Sequence, residues 1–542
     1  MFPSGLLFVY LVATLGSLIA LYVWKHRRYY YLGYQLPGST LLNIGRLFYL
    51  GIFGSMEALP QNLLTYYEDE RTKHPSLTKL WYGWRLGIII LDPELVQKIY
   101  QSHLLKDTAF YILSDSFING RSIFQDNDLR RWKIHRKLIT RTSFNMAVLK
   151  SLVKIFHKET LILTDKLAPL ALDGQPFEPM NRIGLAGFSM IVRSMTSLDL
   201  QIQRNFCDNH PFIRAFDDAF DIHMIRVLNP WLLMPTIFNL SRYKKQLMDA
   251  STQSRAFAEK VVAKIKAKVV QENFAREEIF GQFQSNFEHP HDNILQGSPD
   301  PALLQHSLAE VIIRDQLNPN IPTEDVMPPE ELISEIITML FAGMDTTKVT
   351  NAIILVMLAL HPKVQQEVYD EIQSVMGNDP TLAPTYEQLS TFHALTRVIK
   401  ETMRLFPAAP MIGREAEQEF QVDGYTIPKG AAMWIGILGL HRDHRYWPNP
   451  NRFDPDRFLP SETSSRRIPN AYMPFSTGAR NCIGLRYAML QMKTMISTIV
   501  RRYRILPGDK CKRVEDVRFT VHLTLKLLEG NDIRLEPRTT DM

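Results

Sequence analysis

The sequence predicts a mainly α-helical chain with a small β region, led by an apolar N-terminal helix. Three observations carry this. Residues 145 to 275 keep helical periodicity almost unbroken. The run opened by Pro328-Pro329-Glu330 and closed by His361-Pro362 reads as one helix of about 32 residues, on the order of 48 Å at 1.5 Å per residue. Strand-like runs are short: Leu77 to Leu91, Gly424 to Ile437 and Phe519 to Leu527. A chain of 542 residues that is 45% hydrophobic can bury a sizeable core, and a net charge of +6 with Lys+Arg 62 against Asp+Glu 56 carries no nucleic-acid signature. Three cysteines, Cys207, Cys482 and Cys511, form no disulfide framework and fit a reducing compartment.

Residues 1 to 24 carry no charge, and Leu6 to Trp24 is long enough to cross a bilayer core. Trp24 and Tyr29, Tyr30 and Tyr31 suit the interface, and Lys25, Arg27 and Arg28 follow the apolar run. A signal peptide puts its positive charge before that run and a small-residue cleavage site after it; this segment does neither, so an uncleaved anchor is expected, with the rest of the chain in the cytosol. The expected division is 1–24 as anchor, 25–45 as a basic flank with a hinge at Leu36-Pro37-Gly38, and 46–542 as one catalytic domain.

Two short strands are expected around Gly83 and Gly87, then a helix from Asp92-Pro93 through Tyr100. Residues 107 to 128 read as a long loop bearing Phe110, Phe117 and Phe124. In RRWKIHRKL, Trp132 and Arg136 lie four apart on one helix face, where an indole N–H and a guanidinium can converge on one carboxylate. Arg130, Arg131, Lys133 and Lys137 surround that helix with positive charge, either a solvated face or a docking face for an acidic protein. Val227 to Phe238 is apolar and broken by two prolines, either buried core or a loop dipping into a membrane. Residues 286 to 302 read as a surface linker.

Within the long helix, Asp345, Lys348 and Asn351 interrupt the apolar run and no heptad persists, which disfavours a membrane span and a coiled coil. FAGMDTT is its informative part: Gly343 opens space, and Asp345-Thr346 set an acid beside an alcohol at a cost in helical propensity. A later helix, from about Phe392 to Phe406-Pro407, holds Glu401 and Arg404 on one face, and FDPDRF offers Arg457 as a third member. Arg414 follows AAPMIG. Gly424 to Ile437 reads as a strand pair turning at Pro428-Lys429-Gly430, and Phe519 to Leu527, with the turn at Gly530-Asn531-Asp532, as a terminal hairpin.

FSTGARNCIG, Phe475 to Gly484, carries the most specific chemistry. Gly478 and Gly484 permit positive φ and close approach to a flat partner. Arg480 can reach an anionic group beside that partner, and the helix that follows favours Cys482 as an anion. A thiolate with a neighbouring arginine and a glycine-lined floor suits haem iron.

The loop resembles the haem-binding loop of the cytochrome P-450 superfamily, the haem-thiolate monooxygenases. WKIHR, AGMDTT and ETMR with PDRF occur in that family's order, so the resemblance covers nearly the whole chain past the hinge. It implies a cytochrome P-450 fold behind one transmembrane helix, and haem b with Cys482 as the iron ligand. By the same resemblance, Trp132, Arg136, Arg414, Phe475, Gly478, Arg480, Gly484, Ala342 and Gly343 bind the cofactor. Asp345 and Thr346 handle protons for dioxygen, residues 107 to 128 cover the substrate side, and Glu401, Arg404 and Arg457 form a buried ion network. Electrons are expected from NADPH through a cytochrome reductase, with cytochrome b5 as a second donor. The expected setting is the endoplasmic reticulum membrane, single-pass, with the catalytic domain facing the cytosol. The expected substrate is a lipophilic small molecule, such as a terpenoid, steroid, polyketide, alkaloid or fatty acid, which includes secondary metabolites. Two other readings keep the haem: an isomerase or dehydratase acting on a peroxide without external electrons, and a non-catalytic sensor. The intact Asp345-Thr346 pair argues against the first, and a sensor needs neither a proton relay nor a membrane-dipping loop. Cys207 and Cys511 are read as structural.

Overall fold

One long buried helix organises the architecture. The computed structural model describes residues 4–38, 57–82, 84–111, 121–206, 209–283, 307–322, 326–377, 379–460 and 468–538. Gly83, Phe117, Cys207, residues 39–45 of the expected hinge and the expected linker at 286–302 lie outside the described residues.

Helix α1 (Ser4–Lys25) is 22 residues long and exposes Tyr10, Val12, Leu18, Ile19, Leu21 and Trp24. A second helix, α2 (Arg27–Gln35), follows at once where a basic flank and hinge are expected. It is held to the body by several contacts. Arg28 makes a two-pronged ion pair with Glu419 (2.8 and 2.7 Å), the Leu86 N–H donates to the Tyr29 hydroxyl (2.8 Å), and Tyr30 stacks on Trp81. After α3 (Leu59–Lys73), the antiparallel strands β1 (Leu77–Tyr82) and β2 (Arg85–Ile90) lead into α4 (Pro93–Ser102). Asp92 caps α4 as the sequence predicts, accepting from the Glu94 N–H at 2.7 Å.

The helical body comprises α5 (Leu129–Ser143), α6 (Met146–Asp173), α7 (Pro179–Thr196), α8 (Pro211–Leu228), α9 (Arg242–Phe283), α10 (Leu308–Leu317), α11 (Pro329–Leu360), α12 (Pro362–Met376) and α13 (His393–Leu405). Its centre is α11, which is continuous for 32 residues. From Glu331 to Ala359 every residue is buried except Ala342, Gly343 and Thr346. By length and composition α11 could cross a membrane, yet the body packs around it on nearly all sides. The compensation for FAGMDTT is local: Thr346, Thr347 and Thr350 donate their hydroxyls four residues back, to Ala342 O (2.8 Å), Gly343 O (2.7 Å) and Thr346 O (2.8 Å).

Two strand expectations need correction. The turn at Pro428-Lys429-Gly430 does not join a hairpin. Before it, β4 (Phe420–Val422) pairs with β5 (Tyr425–Ile427). After it, β6 (Ala432–Ile435) lies between β2, in parallel, and β3 (Ile412–Glu415), antiparallel, in a sheet of order β1-β2-β6-β3. Asp423 and Gly424, both at positive φ, make the actual hairpin turn. Following α14 (Leu485–Arg502) and β7 (Tyr503–Pro507), the run from Phe519 folds back on itself, with β8 (Phe519–Val521) against β9 (Leu525–Leu527). The turn at Gly530-Asn531-Asp532 instead leads into β10 (Ile533–Pro537), which pairs with β7. Period-two alternation cannot distinguish one strand of nine residues from two strands of three separated by a tight turn.

Val227 to Phe238 breaks into a single 3₁₀ turn and the short helix Pro235–Leu240. Leu232 and Phe238 are buried, whereas Trp231, Met234, Ile237 and Leu240 are exposed.

Candidate functional site

The Cys482 loop meets α5 through Arg136, which donates to Asn481 O (3.0 Å) and Asn481 Oδ1 (2.6 Å). Cys482 is itself pinned by its N–H to Phe475 O at 2.9 Å. Gly478 has φ 74°, and a Cβ there would lie 2.6 Å from Tyr100 O, so this glycine is required twice over. Gly484 is different. It caps α14 at φ −87°, and an added Cβ would meet only Phe144 (3.8 Å) and Cys482 Sγ (3.9 Å). The positive φ that a glycine permits is not used there, and no atom of the described residues crowds the position. Burial pushes the Cys482 thiol up, while the Gly484 N–H and the Arg136 guanidinium pull it down. The side chain is nevertheless accessible.

Beside this loop a set of donors lacks acceptors. Trp132 Nε1, Arg414 Nε, and Arg480 Nε and Nη1 are buried with no hydrogen-bond partner among the described residues. Arg480 lies over the Trp132 ring at 4.3 Å and donates through its remaining nitrogen to Asp126 O. On β3, Arg414 lies over Tyr100 at 4.5 Å. Burial and the charge of Arg414 bring the Arg480 guanidinium down to about 10, and burial also lowers Arg136. A fourth cation, Lys106, is not foreseen from spacing or motif. Burial, together with Arg414, Arg480 and Arg136 nearby, pushes its ammonium well below the usual lysine range. It sits over Tyr111 at 4.5 Å and Phe124 at 5.6 Å. Nothing distinguishes a lone lysine at a loop edge from a solvated one, so only the fold reveals it. Buried cations and orphaned N–H groups around one point fit a partner carrying carboxylates, as haem does.

On α11, Ala342, Gly343 and Thr346 occupy positions i, i+1 and i+4 and share the one accessible face. Gly343, partly accessible on this face, also serves packing. A Cβ there would come within 2.6 Å of Ile191 Cδ1 on α7, so the missing side chain serves helix packing. Asp345 is buried; its Oδ2 accepts from Thr524 Oγ1 at 2.6 Å and its Oδ1 pairs with Lys348 at 3.1 Å. An aromatic cluster lies nearby: Phe341 stacks on Phe216 (4.9 Å) and meets Phe220 (5.2 Å) and Phe124 (5.9 Å) edge-on.

Glu401, Arg404 and Arg457 are brought together. Arg404 grips Glu401 with two bonds (2.7 and 2.8 Å) and donates to His441 O, Pro450 O and Arg452 O. Arg457 lies 3.4 Å from Glu401, and the Asp454 N–H donates to the same carboxylate. A further buried pairing went unread although it sits inside WKIHR: His135 contacts Glu335 (2.8 Å) and Glu331 (3.1 Å) of α11. The exposed side of α5 carries Arg130, Lys133, Lys137 and Arg141.

Comparison with known proteins agrees with this arrangement. A family model described as Cytochrome P450 matches residues 45–526. Cytochrome P450 4c21 of Blattella germanica is 30% identical over 470 residues, 85% of this chain and 86% of the relative. Cytochrome P450 4d2 of Drosophila melanogaster is 28% identical over 531 residues, 97% and 98% of the two chains.

Proposed function

The chain belongs to the cytochrome P450 family, and from that membership we propose how its residues serve a monooxygenase reaction and in what setting. The coarse activity follows from the family: a haem-thiolate monooxygenase that uses dioxygen, a substrate and electrons from a redox partner. The observation that carries the finer reading is the set of acceptorless donors beside the Cys482 loop. Trp132, Arg136, Arg414 and Arg480 bind the haem carboxylates, with Lys106 as an added cation, and Cys482 ligates the iron. Haem bound there through the Cys482 thiolate would supply the dioxygen activation. Thr346, on the accessible face of α11, holds a proton-bearing water there, and Asp345 supplies protons from behind it. Glu401, Arg404 and Arg457 lock the core behind the Cys482 loop.

The aromatic cluster of Phe124, Phe216, Phe220 and Phe341 favours an apolar substrate, a lipid or a lipophilic secondary metabolite. Exposed apolar side chains on α1 and at Trp231, Met234, Ile237 and Leu240 support a membrane setting, with α1 as a single-pass anchor in the endoplasmic reticulum and the catalytic domain in the cytosol. The cationic face of α5 supports docking of an acidic donor, NADPH–cytochrome reductase or cytochrome b5. The test is turnover of lipophilic candidates, chosen by the spectral shift that each causes in the ferric protein, with reductase and NADPH. Product that requires both supports the reading, and conversion of a peroxide without either overturns it.

A further inference from the structure

A cavity of about 460 Å³ lies where α8 begins, between the segment that leads into that helix and α9. Its volume suits a small molecule. No residue of α5, α11 or the Cys482 loop is among its described lining residues, so it stands apart from the haem site. Phe206, Phe212 and Phe257 supply aromatic walls. Phe212 leads inward through Phe216 to Phe341, with 4.9 Å between rings at each step, so the cavity is separated from the cluster on α11 by packed rings.

The polar group among these rings is His210, 7% exposed. Phe206 (4.5 Å), Phe188 (5.0 Å) and Phe257 (5.3 Å) surround its imidazole. Nδ1 accepts from the Phe212 N–H at 3.1 Å and so caps α8. Burial pushes this histidine down to about 4, which leaves it neutral at ordinary pH. With Nδ1 accepting, the single ring proton sits on Nε2. That N–H has no acceptor among the described residues.

On α9, Phe257, Lys260, Val261 and Lys264 line the cavity at positions i, i+3, i+4 and i+7, so apolar wall and two ammoniums share one face. Both lysines are exposed, and neither has an ion pair among the described residues. The carboxylate among the described lining residues, Asp199, is already engaged by Arg193 (2.8 Å) and by the Gln201 N–H (3.1 Å). A buried N–H donor, aromatic walls and unpaired ammoniums at the rim complement a molecule with an apolar body and an anionic end.

We propose that this cavity is a second binding site, for an amphipathic carboxylate: the apolar or aromatic body packs on Phe206, Phe212 and Phe257, and the carboxylate accepts from His210 Nε2 and meets Lys260 and Lys264.

The test uses the full-length, haem-loaded protein with its haem pocket filled by 4-phenylimidazole, and equilibrium dialysis of 2-naphthoate. One equivalent should bind with the azole present, and 2-naphthylmethanol, which lacks the charge, should bind about 10-fold more weakly. His210→Asn keeps a side-chain oxygen to cap α8 and removes the Nε2 donor; affinity for 2-naphthoate should fall about 10-fold while the carbon monoxide band and thermal unfolding stay. The double variant Lys260→Gln, Lys264→Gln changes only exposed side chains, so it tests the site even if His210→Asn does not fold. It should lose about 5-fold at low salt and most of the salt dependence. Binding of 2-naphthoate only when the azole is absent would assign it to the haem pocket and overturn the proposal. So would equal affinity for the alcohol, or wild-type affinity in the lysine variant or in folded His210→Asn.

Discussion

Arg480 and Trp132 stack at 4.3 Å, and between them three buried N–H-bearing nitrogens have no acceptor among the described residues. A fold does not leave such groups together without a partner, because each unmet donor costs about 1–3 kcal/mol. Trp132→Phe keeps the stacking and removes one donor. Haem should leave this variant faster, by roughly 10-fold for the loss of one hydrogen bond to a charged group. Haem transfer to an acceptor globin measures it, and an unchanged rate would show that the indole does not bind the cofactor.

Thr346→Ala tests the proton route from the accessible side of α11. The change removes a hydroxyl that now bonds to Ala342 O and leaves Cys482 untouched. Carbon monoxide binding and iron reduction should stay normal. NADPH consumption should continue while product falls and hydrogen peroxide rises, within the 10²–10⁴-fold usually associated with general acid–base steps, roughly. Wild-type product per NADPH would reduce Thr346 to a helix residue.

Glu401→Gln leaves Arg404 and Arg457 without their shared carboxylate. Arg404 has no exposed surface, so the cost is that of an unpaired buried charge, roughly 3–5 kcal/mol. The expected outcome is protein that is mostly haem-free or insoluble, read by haem content and thermal unfolding. Normal loading would mean that the backbone acceptors of Arg404 suffice.

His135 makes stability depend on pH. Burial lowers its pKa, but Glu335 and Glu331 outweigh that and raise it above the ordinary histidine value. A raised folded-state pKa stabilises fully below the unfolded value, about 6.5, and that contribution is lost as pH climbs through the folded value. Glu335, raised by burial, acts in the same direction. The unfolding temperature should therefore decline as pH rises past neutrality, and His135→Gln should flatten that decline. A profile that is unchanged in the variant would assign the slope to other groups.

Local chemistry was legible in the sequence, and long-range geometry was not. Asp92 as a cap, Glu401 with Arg404 on one face, and the 32-residue span of α11 follow from spacing of a few residues. Lys106 and Thr524 do not, because each matters through groups far away along the chain: Lys106 through Arg414 and Arg480, Thr524 through Asp345, 179 residues before it. Gly343 shows the same limit: its type suggests room on the helix, but that Ile191 of another helix packs where a Cβ would stand is visible only in the fold.

The attachment of α2 to the β-sheet bears on the proposed anchor. A flexible leash would let the body tumble and meet a bilayer with any face. Here the Arg28–Glu419 pair, the Tyr29–Leu86 bond and the Tyr30–Trp81 stack act within one short helix directly after α1. If α1 lies in a bilayer as proposed, these contacts would restrict the pitch of the body, and that tilt would decide which rim of the molecule touches the headgroups.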